Sequence, residues 1–107
     1  MPMKNPPHPG KGLKADFNAL ELSVAQAADA LGISRAQLHR IVAGDSSITP
    51  EVALKLEVVI GSTAEAWLRL QAAYDAAQVR LRANEVTKGL SRIRLPTEPQ
   101  PEQPNTV

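Results

Sequence analysis

The chain has no cysteine among its 107 residues. Disulfides and thiolate metal sites are therefore excluded, and a reducing, cytoplasmic setting is the expected one. One phenylalanine, one tryptophan and one tyrosine are too few for the stacking platform on which single-stranded nucleic acids are held. No run reaches the roughly 18 apolar residues of a membrane span, and the first ten residues, MPMKNPPHPG, lack the apolar core of a signal peptide. No membrane partner is expected. The two histidines, His8 and His39, are far apart in sequence and offer no metal site. Gly10 and Gly12 beside Lys11 lack the preceding strand and the Lys-Ser or Lys-Thr ending of a phosphate loop. Asp16, Glu21, Asp29, Glu51 and Glu57 are scattered over separate segments, as solvated faces or first-turn charges are. The expectation is a protein with no catalytic residues and no cofactor.

A hydrophobic content of 43% over this length supports one compact domain, with little core from either end. A net charge of +1 is a small excess for a protein that binds nucleic acid by electrostatics alone. Residues 1–8 read as a proline-rich arm, 9–83 as the helical domain, and 84–107 as a basic and then proline-rich tail.

What is present is a helix-turn-helix. In Ser23 to Gly44, SVAQAADALGISRAQLHRIVAG, Ser23 can cap a first helix with Val24, Ala27, Ala28 and Leu31 on one side. Ala28 is small enough for a second helix to cross closely. Gly32 supplies a left-handed turn, Ser34 caps the second helix, and Ile33, Leu38, Ile41 and Val42 hold it on the core. Arg35, Ala36, His39 and Arg40 then face outward, where a recognition helix meets base edges in the major groove of duplex DNA. Arg35 and Arg40 are the best candidates for base readout, since arginine can contact guanine bidentately. Ser23, Gln26, Ser34, Gln37, Ser46 and Ser47 are candidate phosphate contacts, at helix starts or in the polar loop after Gly44.

Around this motif the pattern predicts three more helices. The first runs from Pro9 to about Leu20 on the stripe Leu13, Phe17 and Leu20, with Gly10 and Gly12 softening its start. Another begins at Thr49-Pro50-Glu51, with Val52, Ala53, Leu56, Val59 and Ile60 as its apolar face and Gly61 closing it. The last is capped by Ser62 or Thr63 and reaches about Ala83. Its apolar residues fill two adjacent rows, wider than one packing contact needs. A two-fold homodimer is therefore expected, through Trp67, Leu70, Gln71, Tyr74 and Ala77. Residues 89–95 alternate basic and aliphatic side chains and fit a short strand, a basic arm or a partner-docking peptide, the last being favoured.

The chain resembles the HigA-type antitoxins of bacterial toxin–antitoxin modules, within the lambda-repressor-like helix-turn-helix group. The resemblance covers about Asn5 to Arg80. It is carried by His8-Pro9-Gly10, Ser34-Arg35 with Gly44, Ile48-Thr49-Pro50-Glu51, and Ala64-Glu65-Ala66-Trp67-Leu68 with Leu70-Gln71 and Tyr74-Asp75. It implies an all-α, five-helix lambda-repressor-like domain with an extended N-terminal arm and a C-terminal tail. It also implies a dimer that represses its own operon by binding an inverted repeat in operator DNA, and that neutralises a HigB-type toxin resembling RelE ribonucleases. The four prolines beyond Leu95, and Ala36 where a longer reader could sit, depart from the family's pattern. Two other readings are a stand-alone repressor without a toxin and a helical protein-interaction module.

Overall fold

The computed structural model describes residues 5–96. Within them the chain is all-helical: α1 (Pro9–Ala19), α2 (Val24–Leu31), α3 (Arg35–Ala43), α4 (Pro50–Val59), α5 (Ala64–Arg80) and α6 (Ala83–Val86). The final helix, expected to reach about Ala83, ends at Arg80, and a further one-turn helix, α6, follows beyond it. Residues 90–95 form neither strand nor helix. The proline-rich tail beyond residue 96 lies outside the described residues, as do residues 1–4 of the arm.

Short polar side chains start four of the helices. The hydroxyls of Ser23, Ser34, Thr49 and Thr63 each accept from the backbone N–H three residues on, satisfying donors that have no partner inside the helix. Ser23 and Gln26 form a full capping box, because the Gln26 amide oxygen accepts in turn from the Ser23 N–H at 2.9 Å. Gly32 (φ 68°) and Gly44 (φ 87°) end α2 and α3 in the left-handed conformation, which glycine adopts without the penalty a β-carbon brings.

The core is one cluster to which the first five helices all contribute or are joined. Leu13 and Phe17 of α1, Ala27 and Ala28 of α2, Leu38 and Ile41 of α3, and Ala53 and Leu56 of α4 are almost wholly enclosed. Trp67 of α5 and Ile48 of the preceding loop complete it. Each large aliphatic or aromatic side chain buried here contributes about 1.5–3 kcal/mol. Ala28 is wholly buried, and its carbonyl accepts from the Ile33 N–H at 3.1 Å in the turn between α2 and α3. Two residues assigned to apolar stripes turn outward: Leu20, which caps α1 instead of continuing it, is 54% exposed, and Val59, at the end of α4, is 37% exposed.

Gly10 has a different role from the soft helix start read from the sequence. It is buried, and a β-carbon built on it would overlap the Ile41 carbonyl oxygen and stand 2.9 Å from that of Val42. The backbone of α1 therefore rests directly on the last turn of α3. A β-carbon built on Gly12, two residues on, would meet nothing within 4 Å.

This contrast makes a paired test. Gly10→Ala should destabilise the fold by about 2 kcal/mol or more, because backbone on both sides must move. Gly12→Ala in the same helix should stabilise it by about 0.5–1 kcal/mol. Urea unfolding followed by circular dichroism measures both.

Candidate nucleic-acid interface

The interface is built on α3. Leu38 and Ile41 anchor the helix in the core, which leaves Arg35, Ala36, His39 and Arg40 exposed in one outward band. Gln37 is half-buried, and its backbone N–H donates to the Ser34 hydroxyl at 3.0 Å. Two arginines and a histidine within six residues give this face a concentration of cationic and hydrogen-bonding groups with no acidic side chain on the helix itself.

Arg35 has one charged neighbour, Asp29 near the end of α2, at 3.8 Å. Both side chains are about two-thirds or more open to solvent, so the pair contributes little to stability and separates easily. Sequence reading placed Asp29 only among solvated charges. The pair became visible once α2 and α3 were crossed.

The candidate phosphate contacts fall into two groups. Ser23, Gln26 and Ser34 are exposed at the starts of α2 and α3 but already serve as caps. Each hydroxyl keeps its proton as a donor, and Gln26 keeps its amide NH2. Ser46 and Ser47 lie in the loop after α3, the first half-buried and the second exposed. That loop is tied back on the helix, since the N–H groups of Asp45 and Ser46 both donate to the Arg40 carbonyl, at 2.8 and 3.2 Å.

The dimer row expected on α5 divides between inside and outside. Trp67 is buried and its indole N–H donates to the Gly61 carbonyl at 3.0 Å. Gln71 is only 4% exposed: its amide oxygen accepts from the Ile48 N–H at 2.8 Å and its NH2 donates to Asp75 at 3.0 Å. Tyr74 is half-buried and meets the His8 ring edge-on at 4.9 Å between centroids. These three form the face by which α5 packs on its own chain, which corrects the assignment of Trp67 and Gln71 to a surface between copies. Leu70, 53% exposed, and the half-buried Ala77 stay open to a partner. Leu70 lines a groove of about 410 Å³ with Ala19, Leu20, Ile60 and one edge of Trp67.

His8 is the residue the sequence reading underrated. It is buried, caps α1 by accepting the Gly10 N–H on Nδ1 at 2.9 Å, and packs beside Gly44 at the end of α3. Histidine is not a favoured cap; the usable signal was its place just before a proline at the first helical position.

No cluster of His, Asp or Glu among the described residues could hold a metal ion, and no helix among them is long and apolar enough to cross a membrane.

A helix-turn-helix family model matches residues 13–68, from the middle of α1 into α5. Over 94 residues the chain is 37% identical to the HTH-type transcriptional regulator YddM of Escherichia coli, covering 88% of this chain and 95% of that protein. A second relative is antitoxin HigA-1 of Vibrio cholerae, 31% identical over 86 residues, which are 79% of this chain and 81% of the antitoxin. The chain belongs to the HigA-type helix-turn-helix family. Its fold matches a HigA-family addiction module antidote protein from Coxiella burnetii with a TM-score of 0.76 and 33% identity, over 83% of this chain and 99% of that one. A Pseudomonas aeruginosa protein solved with its operator DNA shares the fold at a TM-score of 0.76 and 24% identity, over 85% of this chain and 98% of that one. These relatives are a helix-turn-helix regulator and antitoxins, not enzymes.

The placement of Gln71 has a measurable consequence. Gln71→Leu should cost about 1–3 kcal/mol in urea unfolding, because the buried Ile48 N–H loses its acceptor. The mass of the native protein in solution should be unchanged.

Proposed function

We propose that this HigA-type chain is a sequence-specific repressor that binds duplex operator DNA in its own promoter as a homodimer. The observation that carries the reading is the α3 surface: a helix anchored at both ends, with Arg35, Ala36, His39 and Arg40 outward and no acidic residue among them. The N-termini of α2 and α3 stand on the same motif, and helix N-termini with free hydroxyl donors suit phosphate oxygens. Arg35 and Arg40 read bases, with Ala36 and His39 at the same surface. Ser23, Gln26, Ser34, Gln37, Ser46 and Ser47 set the register through phosphates. The Pseudomonas aeruginosa protein of the same fold was solved on its operator DNA, which supports this use of the motif.

Two copies present two recognition helices to successive major grooves, roughly 34 Å apart. The surface for pairing is the outer side of α5 around Leu70 and Ala77, continued by Leu20 at the end of α1. Leu20 and Leu70 are both more than half exposed and flank one apolar groove; a second copy would cover them.

As an antitoxin the chain also neutralises a HigB-type toxin resembling RelE ribonucleases. This part is supported by the likeness to antitoxin HigA-1 and to the Coxiella burnetii antidote protein. Such a protein works in the cytoplasm, at the nucleoid.

Arg35→Ala and Arg40→Ala should each weaken binding to the DNA upstream of the gene by about 1–3 kcal/mol in fluorescence anisotropy, while leaving binding to a shuffled duplex unchanged. Unaltered affinity in both variants would remove α3 as the reader. Leu70→Glu should reduce the mass in light scattering at micromolar concentration from two chains to one, and a wild-type chain that is already monomeric there would refute the pairing.

A further inference from the structure

Beside the pair Arg35 and Arg40 on α3, positive charge is concentrated a second time, near the end of α5 and beyond it. The first 79 residues hold seven basic and eight acidic side chains, whereas residues 80–94 hold Arg80, Arg82, Lys88, Arg92 and Arg94 against Glu85 alone. Four of these five are exposed and Arg94 is half-buried. None forms an ion pair among the described residues. Beyond the single turn of α6 the backbone has no regular structure, and Leu90 and Ile93 are 73% and 93% exposed. The stretch contributes no residue to the core. A run of mostly exposed cations, none in an ion pair among the described residues, is the electrostatic complement of a polyanion.

Its starting point locates it. Tyr74 meets His8, and His8 packs beside Gly44, the residue that ends α3. The helix α5 therefore passes the end of the recognition helix six residues before Arg80, about 9 Å at the helical rise. An extended chain reaches up to about 3.3 Å per residue, so residues 90–94, which follow the turn closed by the Leu90 N–H on the Thr87 carbonyl, can span roughly 16 Å. That distance covers several successive phosphates of a duplex docked on α3, since duplex charge recurs every ≈ 1.7 Å along the axis.

We propose that residues 80–94 form a cationic arm that lies along the phosphate backbone of duplex DNA beside the site read by α3. This rests on the operator-binding reading above and adds to it a second, sequence-independent contact. The arm explains how a domain with little net charge holds DNA, since affinity then comes from the arm and specificity from α3. A ribonuclease toxin is the poorer occupant, because an enzyme that handles RNA phosphates presents cationic groups of its own.

The test compares the full-length chain with Lys88→Ser/Arg92→Ser/Arg94→Ser and with the charge-preserving Lys88→Arg/Arg92→Lys/Arg94→Lys. Anisotropy is read on the upstream duplex and on a shuffled duplex across a salt series. Three lost phosphate contacts lower the salt slope by about 2.7, so between 50 and 200 mM salt the serine variant should lose about 40-fold less affinity than wild type. Both duplexes should be weakened equally, and the charge-preserving variant should behave as wild type. A serine variant with wild-type slope and affinity overturns the arm, while loss of sequence preference in Arg35→Ala and Arg40→Ala shows that α3 still reads DNA. Wild-type protein that binds neither duplex refutes the operator reading and the arm with it. Phosphatidylserine vesicles that bind wild type but not the serine variant, with the DNA slope unaltered, would overturn the DNA assignment in favour of a membrane surface.

Discussion

The architecture depends on one close approach of backbone to backbone. At Gly10 the start of α1 lies against the carbonyl oxygens of Ile41 and Val42 in the last turn of α3, a contact that any side chain would prevent. Because α1 sits so near, Leu13 and Phe17 reach the same cluster as Leu38 and Ile41, and His8 is carried into a buried position between Gly44 and Tyr74. Three helices are thereby fixed to one another by a few residues around His8 and Gly10. The recognition helix is held at its beginning by the turn at Gly32 and at its end by α1. Its outer face is left as the rigid, solvent-facing part of the motif.

The helix-turn-helix was legible in the sequence almost residue by residue. Its information is local: a cap hydroxyl acts three residues away, a left-handed turn needs glycine at one position, and apolar side chains at helical spacing mark the inner face. The inner face of α4 was legible for the same reason at Val52, Ala53 and Leu56, though not at Val59, as was Thr49-Pro50 at its start. The failures came where the deciding partner was distant in sequence. Gln71 looked like a surface residue because its acceptor role depends on Ile48, 23 positions earlier. Gly10 looked like a weak helix start because what it makes room for is the end of α3. Trp67 was placed on the right row, yet the row faced inward, and periodicity alone does not say which of two apolar rows meets the chain's own core.

The division of α5 into two faces follows from its polar residues as much as its apolar ones. Gln71 and the Trp67 indole each need a hydrogen-bond partner once buried, and Ile48, Asp75 and Gly61 supply them. The Glu57 carboxylate further ties α4 to the first N–H of α5 at 2.8 Å. These bonds set the rotation of α5 about its axis. The same rotation leaves Leu70 outward and brings Tyr74 to His8, so the exposed side of α5 and its joint with the end of α3 are settled together.

The bond from Ile48 to Gln71 also bears on the loop that carries Ser46 and Ser47. Asp45 and Ser46 are fastened to Arg40 at one end, and Ile48 is fastened to α5 at the other. Between these anchors the loop has few conformations left to lose. Its ordering entropy is spent during folding, so docking its hydroxyls on a charged partner costs less conformational freedom than a free loop would.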